Sequence, residues 1–240
     1  MKILIMADIH GNLEALEQIL AEAGRHKVQG CVLLGDLIDY GMHSNEVIRR
    51  LQKLQCAVLC NLQGNHEEAV LQEDYVRFSS QRGRDSARHT REKLDENAWQ
   101  YIGAMEKSGR QEFWCGGKHC LAVHGSLEDC LWKSIFPEQE LGIYSSYDYV
   151  FSGHSHRPHY FERFFPAEDS RRRNQKKTVF INPGSVGQPR NLNPMAQAAV
   201  LDVEREEVVF LKAAYDIAKE QQAFDGQVDS FYSKRLEYGI

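Results

Sequence analysis

Asp8 and His10, Asp36, Asn65 and His66, His124, and the pair His154 and His156 set carboxylate, amide and imidazole groups at the ends of short apolar runs. Such mixtures of oxygen and imidazole donors are what borderline divalent metals take. Residues 1–7 lead into Asp8-Ile9-His10-Gly11-Asn12, residues 31–34 into Gly35-Asp36-Leu37-Ile38-Asp39, and residues 57–62 reach Gly64-Asn65-His66-Glu67. Residues 120–123 end in His124-Gly125, and residues 149–151 run to Gly153-His154-Ser155-His156. One Gly-Asp pair after an apolar run is ordinary turn chemistry, and a lone histidine there is ordinarily a hydrogen-bonded turn residue. The recurrence of this ending along the chain favours a shared metal site, with imidazole as the commonest transition-metal ligand.

The elements that must position these groups follow from the runs themselves. Residues 32–34 suit a strand buried on both faces, and Gly35 permits a sharp exit that leaves Asp36 at the strand's carboxyl end. Open α/β sheets bind ligands at that end. Asn12 can cap a helix whose apolar stripe is Leu13, Leu16, Ile19 and Leu20, and Ser44 a second with Val47, Ile48, Leu51 and Leu54. With residues 56–62 as a third strand, this is the βαβ alternation of a mostly parallel sheet. Right-handed crossovers gather its carboxyl-end loops, so Asp8, His10, Asp36 and Asn65 should meet at one sheet edge.

Residues 67–110 read as a polar, helical cover over that edge. Strands resume at residues 120–123 and 149–151, separated by short helical pieces and loops. Residues 159–165 and 178–181 read as paired strands. Their connection carries Arg171, Arg172, Arg173, Lys176 and Lys177, which read as a solvated loop rather than a polyanion contact. A last hairpin over residues 198–213 precedes a helical segment from Ile217.

The 240 residues fit one α/β domain spanning 1–240, and the net charge of −5 disfavours a general nucleic-acid binder. Six cysteines, with no Cys-x-x-Cys pair, read as reduced core residues of a cytoplasmic protein. Neither a signal peptide nor an apolar run of the roughly 18 residues a membrane span needs is visible.

The ordered set Asp-x-His, Gly-Asp-x-x-Asp, Gly-Asn-His-Glu, His-Gly and Gly-His-Ser-His resembles the calcineurin-like metallophosphoesterase superfamily. The later run Asn-Pro-Gly-Ser-Val-Gly-Gln-Pro-Arg, residues 182–190, resembles a segment of its small bacterial phosphodiesterase-type branch. The resemblance implies a four-layer α-β-β-α sandwich with a mostly parallel central sheet. It implies two divalent transition metal ions, manganese first, with iron, zinc, cobalt or nickel as alternatives. Asp8, His10, Asp36 and His156 would hold one ion and Asp36, Asn65, His124 and His154 the other, so that Asp36 bridges. A hydroxide shared by the ions would attack phosphorus in a phosphodiester or nucleotide-type substrate. His66 matches the family's catalytic histidine, and Glu67 stands where the family more often has Asp.

Asn65 and Arg190 are the candidate substrate contacts, Arg190 because a guanidinium presents a fork to paired oxygens. Asp39 either supports a site residue or caps a loop. His26, His43, His89, His119 and His159 fit no motif and read as surface or turn residues. The alternatives are a Ser/Thr protein phosphatase, a dinucleoside polyphosphate hydrolase, and a non-catalytic scaffold. Completeness of the ligand set and His66 disfavours the scaffold. The expected partner is a small phosphorylated molecule, with homo-oligomerisation left open.

Overall fold

The computed structural model describes residues 1–166, 171 and 176–240. Its strands are β1 (Lys2–Met6), β2 (Gly30–Leu33), β3 (Ala57–Asn61), β4 (Arg110–Cys115), β5 (Lys118–Val123), β6 (Tyr149–Ser152), β7 (His159–Phe164), β8 (Lys177–Asn182), β9 (Ala196–Asp202) and β10 (Glu207–Ala213). The helices are α1 (Leu13–Gly24), α2 (Ser44–Leu51), α3 (Asn65–Gln72), α4 (Gln81–Lys93), α5 (Glu96–Ala104), α6 (Ile217–Gln222) and α7 (Ser230–Lys234).

The strands form two five-stranded sheets, ordered β10-β9-β1-β2-β3 and β4-β5-β6-β8-β7. Each has a parallel trio, β1-β2-β3 or β5-β6-β8, flanked by antiparallel strands. The expected mostly parallel sheet is resolved into two mixed sheets: Asp8, His10, Asp36 and Asn65 follow β1, β2 and β3 at one edge as expected, and His124, His154 and His156 follow β5 and β6 of the second sheet. β1 shows why the apolar runs are continuous. Its Ile3 and Ile5 enter the layer between the sheets with Val32, Leu34, Ala122, Phe151 and Ile181, whereas Leu4 and Met6 face the helices. Alternate residues of a strand point to opposite faces, so a strand covered on both sides must be apolar throughout. Each such buried side chain contributes about 1.5–3 kcal/mol.

Helices α1, α2 and α5 supply Leu16, Ile19, Val47, Ile48, Ala98 and Ile102 to the outer face of the first sheet. On the second sheet, Leu121, Val123, Val150 and Phe180 are covered by Ile135, Leu141 and Tyr144, from a segment whose helix is the 3-10 turn Gly142–Tyr144. The region 67–110 holds most of α3 and all of α4 and α5, which begin after Gly64, Ser80 and Asp95.

Two local expectations change. Ser44 is the first residue of α2 rather than its cap; the cap position is His43, and the Ser44 hydroxyl accepts the Asp39 N–H at 3.1 Å. β4 was not legible, because this edge strand exposes Arg110, Glu112 and Trp114 alike and buries fully only Cys115. Arg172 and Arg173 lie outside the described residues. Among those described, no helix is long and apolar enough to cross a membrane.

Candidate metal centre

Five ligand-type residues adopt left-handed backbone: Asp8 (φ 54°), His10 (49°), Asp36 (53°), His154 (61°) and His156 (56°). Such conformations cost roughly 1–3 kcal/mol each for residues with a Cβ, and persist where the surroundings impose them. Here the loops after β1 and β2 continue each other's pairing. Asp8 N–H donates to the Gly35 carbonyl (3.1 Å), His10 N–H to that of Asp36 (2.9 Å), and Gly11 N–H to that of Leu37 (3.0 Å). Gly64 is required beside them, since a Cβ there would lie 2.1 Å from Asp36 Oδ1.

Four imidazoles are anchored alike, each with one ring nitrogen on a backbone carbonyl. His10 Nδ1 meets Ile38 O at 3.2 Å, His124 Nδ1 meets Leu34 O at 2.6 Å, and His156 Nδ1 meets Gln188 O at 2.6 Å. His154 is reversed, with Nε2 at 3.1 Å from Trp132 O. A carbonyl accepts only, so the anchored nitrogen carries a proton and the other can turn a lone pair toward a cation in the site.

The inward atoms form two sets that could each hold a metal ion: Asp8, His10, Asp36 and His156, and Asp36, His124 and His154. Asp36 Oδ2 lies between them, 3.7 Å from His10 Nε2 and 3.4 Å from His124 Nε2. Asn65 Oδ1 joins the second set, 3.0 Å from both His124 Nε2 and His154 Nδ1. Asp8 Oδ2 is fully buried without a hydrogen-bond partner. An acceptor-rich enclosure with an orphaned carboxylate oxygen fits divalent cations, and its imidazoles favour transition metals over magnesium.

The charges are strained by burial. It pushes the Asp8 carboxyl up to about 7, despite the pull of His124. Burial works on Asp36 in the same direction, but His124, His66 and His10 together hold its carboxyl well below the ordinary range. Burial alone would lower His124, yet the Asp36 carboxylate raises it to about 9. His10 and His156 fall well below the usual imidazole value through burial, and His154 to about 3.

His66 stands beside the two sets. Its N–H donates to Asp36 Oδ1 at 2.9 Å, and its Nδ1 meets Asp39 Oδ2 at 2.6 Å. Burial opposes its protonation, but Asp36 and Asp39 outweigh that and raise its pKa. Asp39 also accepts from Ser86 Oγ (2.6 Å) and Thr90 Oγ1 (3.0 Å) on α4, so it orients His66 rather than merely capping a loop. Glu67 does not disturb this. Its carboxylate accepts the backbone N–H groups of Gly64, Asp36, Leu37 and Ile38.

A cavity of about 250 Å³ opens on these residues, lined also by Tyr40, Arg77, Phe78, Trp132 and Arg190. The structure thus brings together every residue expected in the site, Arg190 included. Sequence reasoning missed the aromatic walls and Gln188, whose backbone oxygen anchors His156. Gln188 lay two residues before Arg190 in a run already singled out; Phe78 and Trp132 carried no signal.

An α/β sandwich with this acceptor-rich, doubly clustered site defines a metal-dependent phosphoric ester hydrolase. Residues 1–206 match the calcineurin-like phosphoesterase superfamily domain, and the chain belongs to that superfamily. A metallophosphoesterase from Sphaerobacter thermophilus is 27% identical and superposes with a TM-score of 0.77, covering 100% of both chains. An uncharacterised protein of Methanocaldococcus jannaschii is 26% identical over 226 residues, 90% of this chain and 89% of its own. A hypothetical protein from Pyrococcus horikoshii, 18% identical, shares the fold with a TM-score of 0.82 over 100% of this chain and 98% of that one.

Proposed function

We propose that this chain is a dinuclear phosphoesterase acting on small phosphodiester or nucleotide-type substrates. The observation that carries the reading is the shared Asp36 Oδ2 between two closed sets of inward-facing acceptors. Asp8, His10, Asp36 and His156 would hold one ion, and Asp36, Asn65, His124 and His154 the other. Manganese is the first candidate. Two such ions supply an activated water at neutral pH and neutralise charge developing on phosphorus-bound oxygens.

The chain's own groups do the rest. His66 Nδ1 is committed to Asp39, which leaves Nε2 to carry a proton toward the leaving oxygen. Arg190 directs its guanidinium to phosphate oxygens, and Asn65 touches the substrate beside its ion. Arg77 is already paired with Asp129 Oδ2 at 2.5 Å and lies over the Trp132 ring at 4.9 Å. Among the described residues that line the cavity, one guanidinium is left for substrate, and with walls of Tyr40, Phe78 and Trp132 this suits a singly charged diester with an aromatic or nucleoside group better than a dianionic monoester. The free cysteines suit a reducing, cytoplasmic setting.

The test is Mn²⁺-supported hydrolysis of an activated aryl phosphodiester beside the matching monoester, by wild type and Asp36→Ala. Wild type should cleave the diester faster and Asp36→Ala should be inert. A wild-type protein that neither binds transition metal nor cleaves either ester would overturn the reading.

A further inference from the structure

The segment after β10 lies outside the residues matched to the superfamily domain, which end at 206, yet it packs against the site. Tyr232 of α7 stacks on Tyr40 with ring centroids 4.5 Å apart, and Tyr40 in turn contacts His10 at 4.6 Å and His66 at 4.4 Å. Gly239 accepts the Leu192 N–H at 2.8 Å, and a Cβ on Gly239 would lie 2.6 Å from the Asn193 backbone. The segment is therefore docked on the loop that carries Gln188 and Arg190.

Arg235 makes the consequential contact. Its side chain is buried, its Nε donates to the Ile240 carbonyl, and its Nη1 donates to Gln188 Oε1 at 2.9 Å. Arg190 Nη2 donates to the same Oε1 at 3.3 Å. An amide oxygen has two lone pairs, so Gln188 serves both guanidinium groups at once. The backbone of Gln188 is fixed independently, its N–H donating to Ser185 Oγ at 2.8 Å while its carbonyl anchors His156. Only its side chain is left for Arg235 to hold. Arg190 Nε is buried with no partner, so the Gln188 tether is what sets the direction of this cavity-lining guanidinium.

We propose that Arg235 is a positioning residue for substrate phosphate: it fixes the Gln188 amide, which aims Arg190 into the cavity. The proposal rests on the phosphoesterase reading and on Arg190 as its phosphate contact. A fork aimed in advance loses less freedom when it engages paired oxygens, so the effect belongs in binding rather than in the chemical step.

The experiment uses the full chain loaded with Mn²⁺ and measures the Kd of inorganic phosphate, with KM and kcat for an aryl phosphodiester. Arg190→Met and Arg235→Met should each raise the phosphate Kd about tenfold, the loss expected for one charged hydrogen bond, and Arg235→Met should raise KM alike while changing kcat by less than about threefold. The double variant should bind no worse than Arg190→Met alone. Gln188→Met should match Arg235→Met, and it carries the test if Arg235→Met does not fold. Unchanged phosphate binding in a folded Arg235→Met with a lower Tm would reduce the contact to packing and overturn the proposal, as would additivity in the double variant. Wild type that binds Mn²⁺ but not phosphate would instead overturn the reading beneath it.

Discussion

His10 Nε2 and His156 Nε2 face each other at 3.2 Å, although the opposite nitrogen of each ring is committed to a backbone carbonyl. Two lone pairs at that distance repel unless a cation lies between them. Chelation should therefore destabilise the protein, and Mn²⁺ should restore it. At about a thousand times its Kd a bound ion adds about 4 kcal/mol, or roughly 10 °C in Tm for a chain of this size. Calorimetry with and without chelator checks this, and His156→Ala should lose most of the Mn²⁺-dependent rise. Equal Tm values for stripped and loaded wild type would count against the site.

Glu67 gathers four backbone N–H groups, from Gly64, Asp36, Leu37 and Ile38, on one buried carboxylate. Glu67→Ala leaves those donors without partners at the loop that presents Asp36. A loss of about 3 kcal/mol or more in urea unfolding is expected, with weakened Mn²⁺ binding although no ligand has been removed. A variant as stable and as tightly metal-binding as wild type would show the clamp to be idle.

Much of this geometry was legible in the sequence, for a physical reason. Strands buried on both faces must be apolar throughout and must stop where the chain leaves the sheet, so Asp8, Asp36 and His124 advertise themselves as the first polar residues beyond each run, and His154 follows its run after Ser152 and Gly153. What the pattern could not convey is the sheet to which each strand belongs. β2 and β6 are equally apolar, and nothing local distinguishes a neighbour beside from a neighbour across. Tyr232 and Arg235 were invisible for a related reason: their meaning lies in Tyr40 and Gln188, far away in the chain, and a polar helix carries no sign of what it caps.

His66→Gln should retain metal and lose about 10²–10⁴ in turnover, with the loss growing as the leaving group becomes less acidic. Asp39→Asn, which weakens the partner of His66 Nδ1, should show the same trend more mildly. A series of aryl diesters of graded acidity measures it. Equal slowing across the series would remove His66 from proton transfer.

His43 supplies the pH-dependent link. Its Nδ1 lies 3.1 Å from Glu220 Oε1, and that hydrogen bond raises its pKa above 6.5 against the opposing effect of burial. A group whose folded-state pKa exceeds its unfolded value stabilises fully below the unfolded pKa and ceases to do so as pH rises through the folded one. The Tm difference between wild type and His43→Gln should therefore be greatest below about pH 6.5 and shrink above it. A difference that grows toward alkaline pH would reverse the assignment. Because Glu220 belongs to α6, the same titration reports how firmly the segment after β10 is docked.

The two sheets touch through a layer of aliphatic and aromatic side chains, which attracts by area and has little directional preference. Directional ties across it, such as that of His124 Nδ1 on Leu34 O, include some at the site itself. Ligand-type groups drawn from the ends of β1 and β2 on one plate and β5 and β6 on the other would turn a bound ion into a pin through both, so metal would set the alignment of the whole sandwich as well as its chemistry.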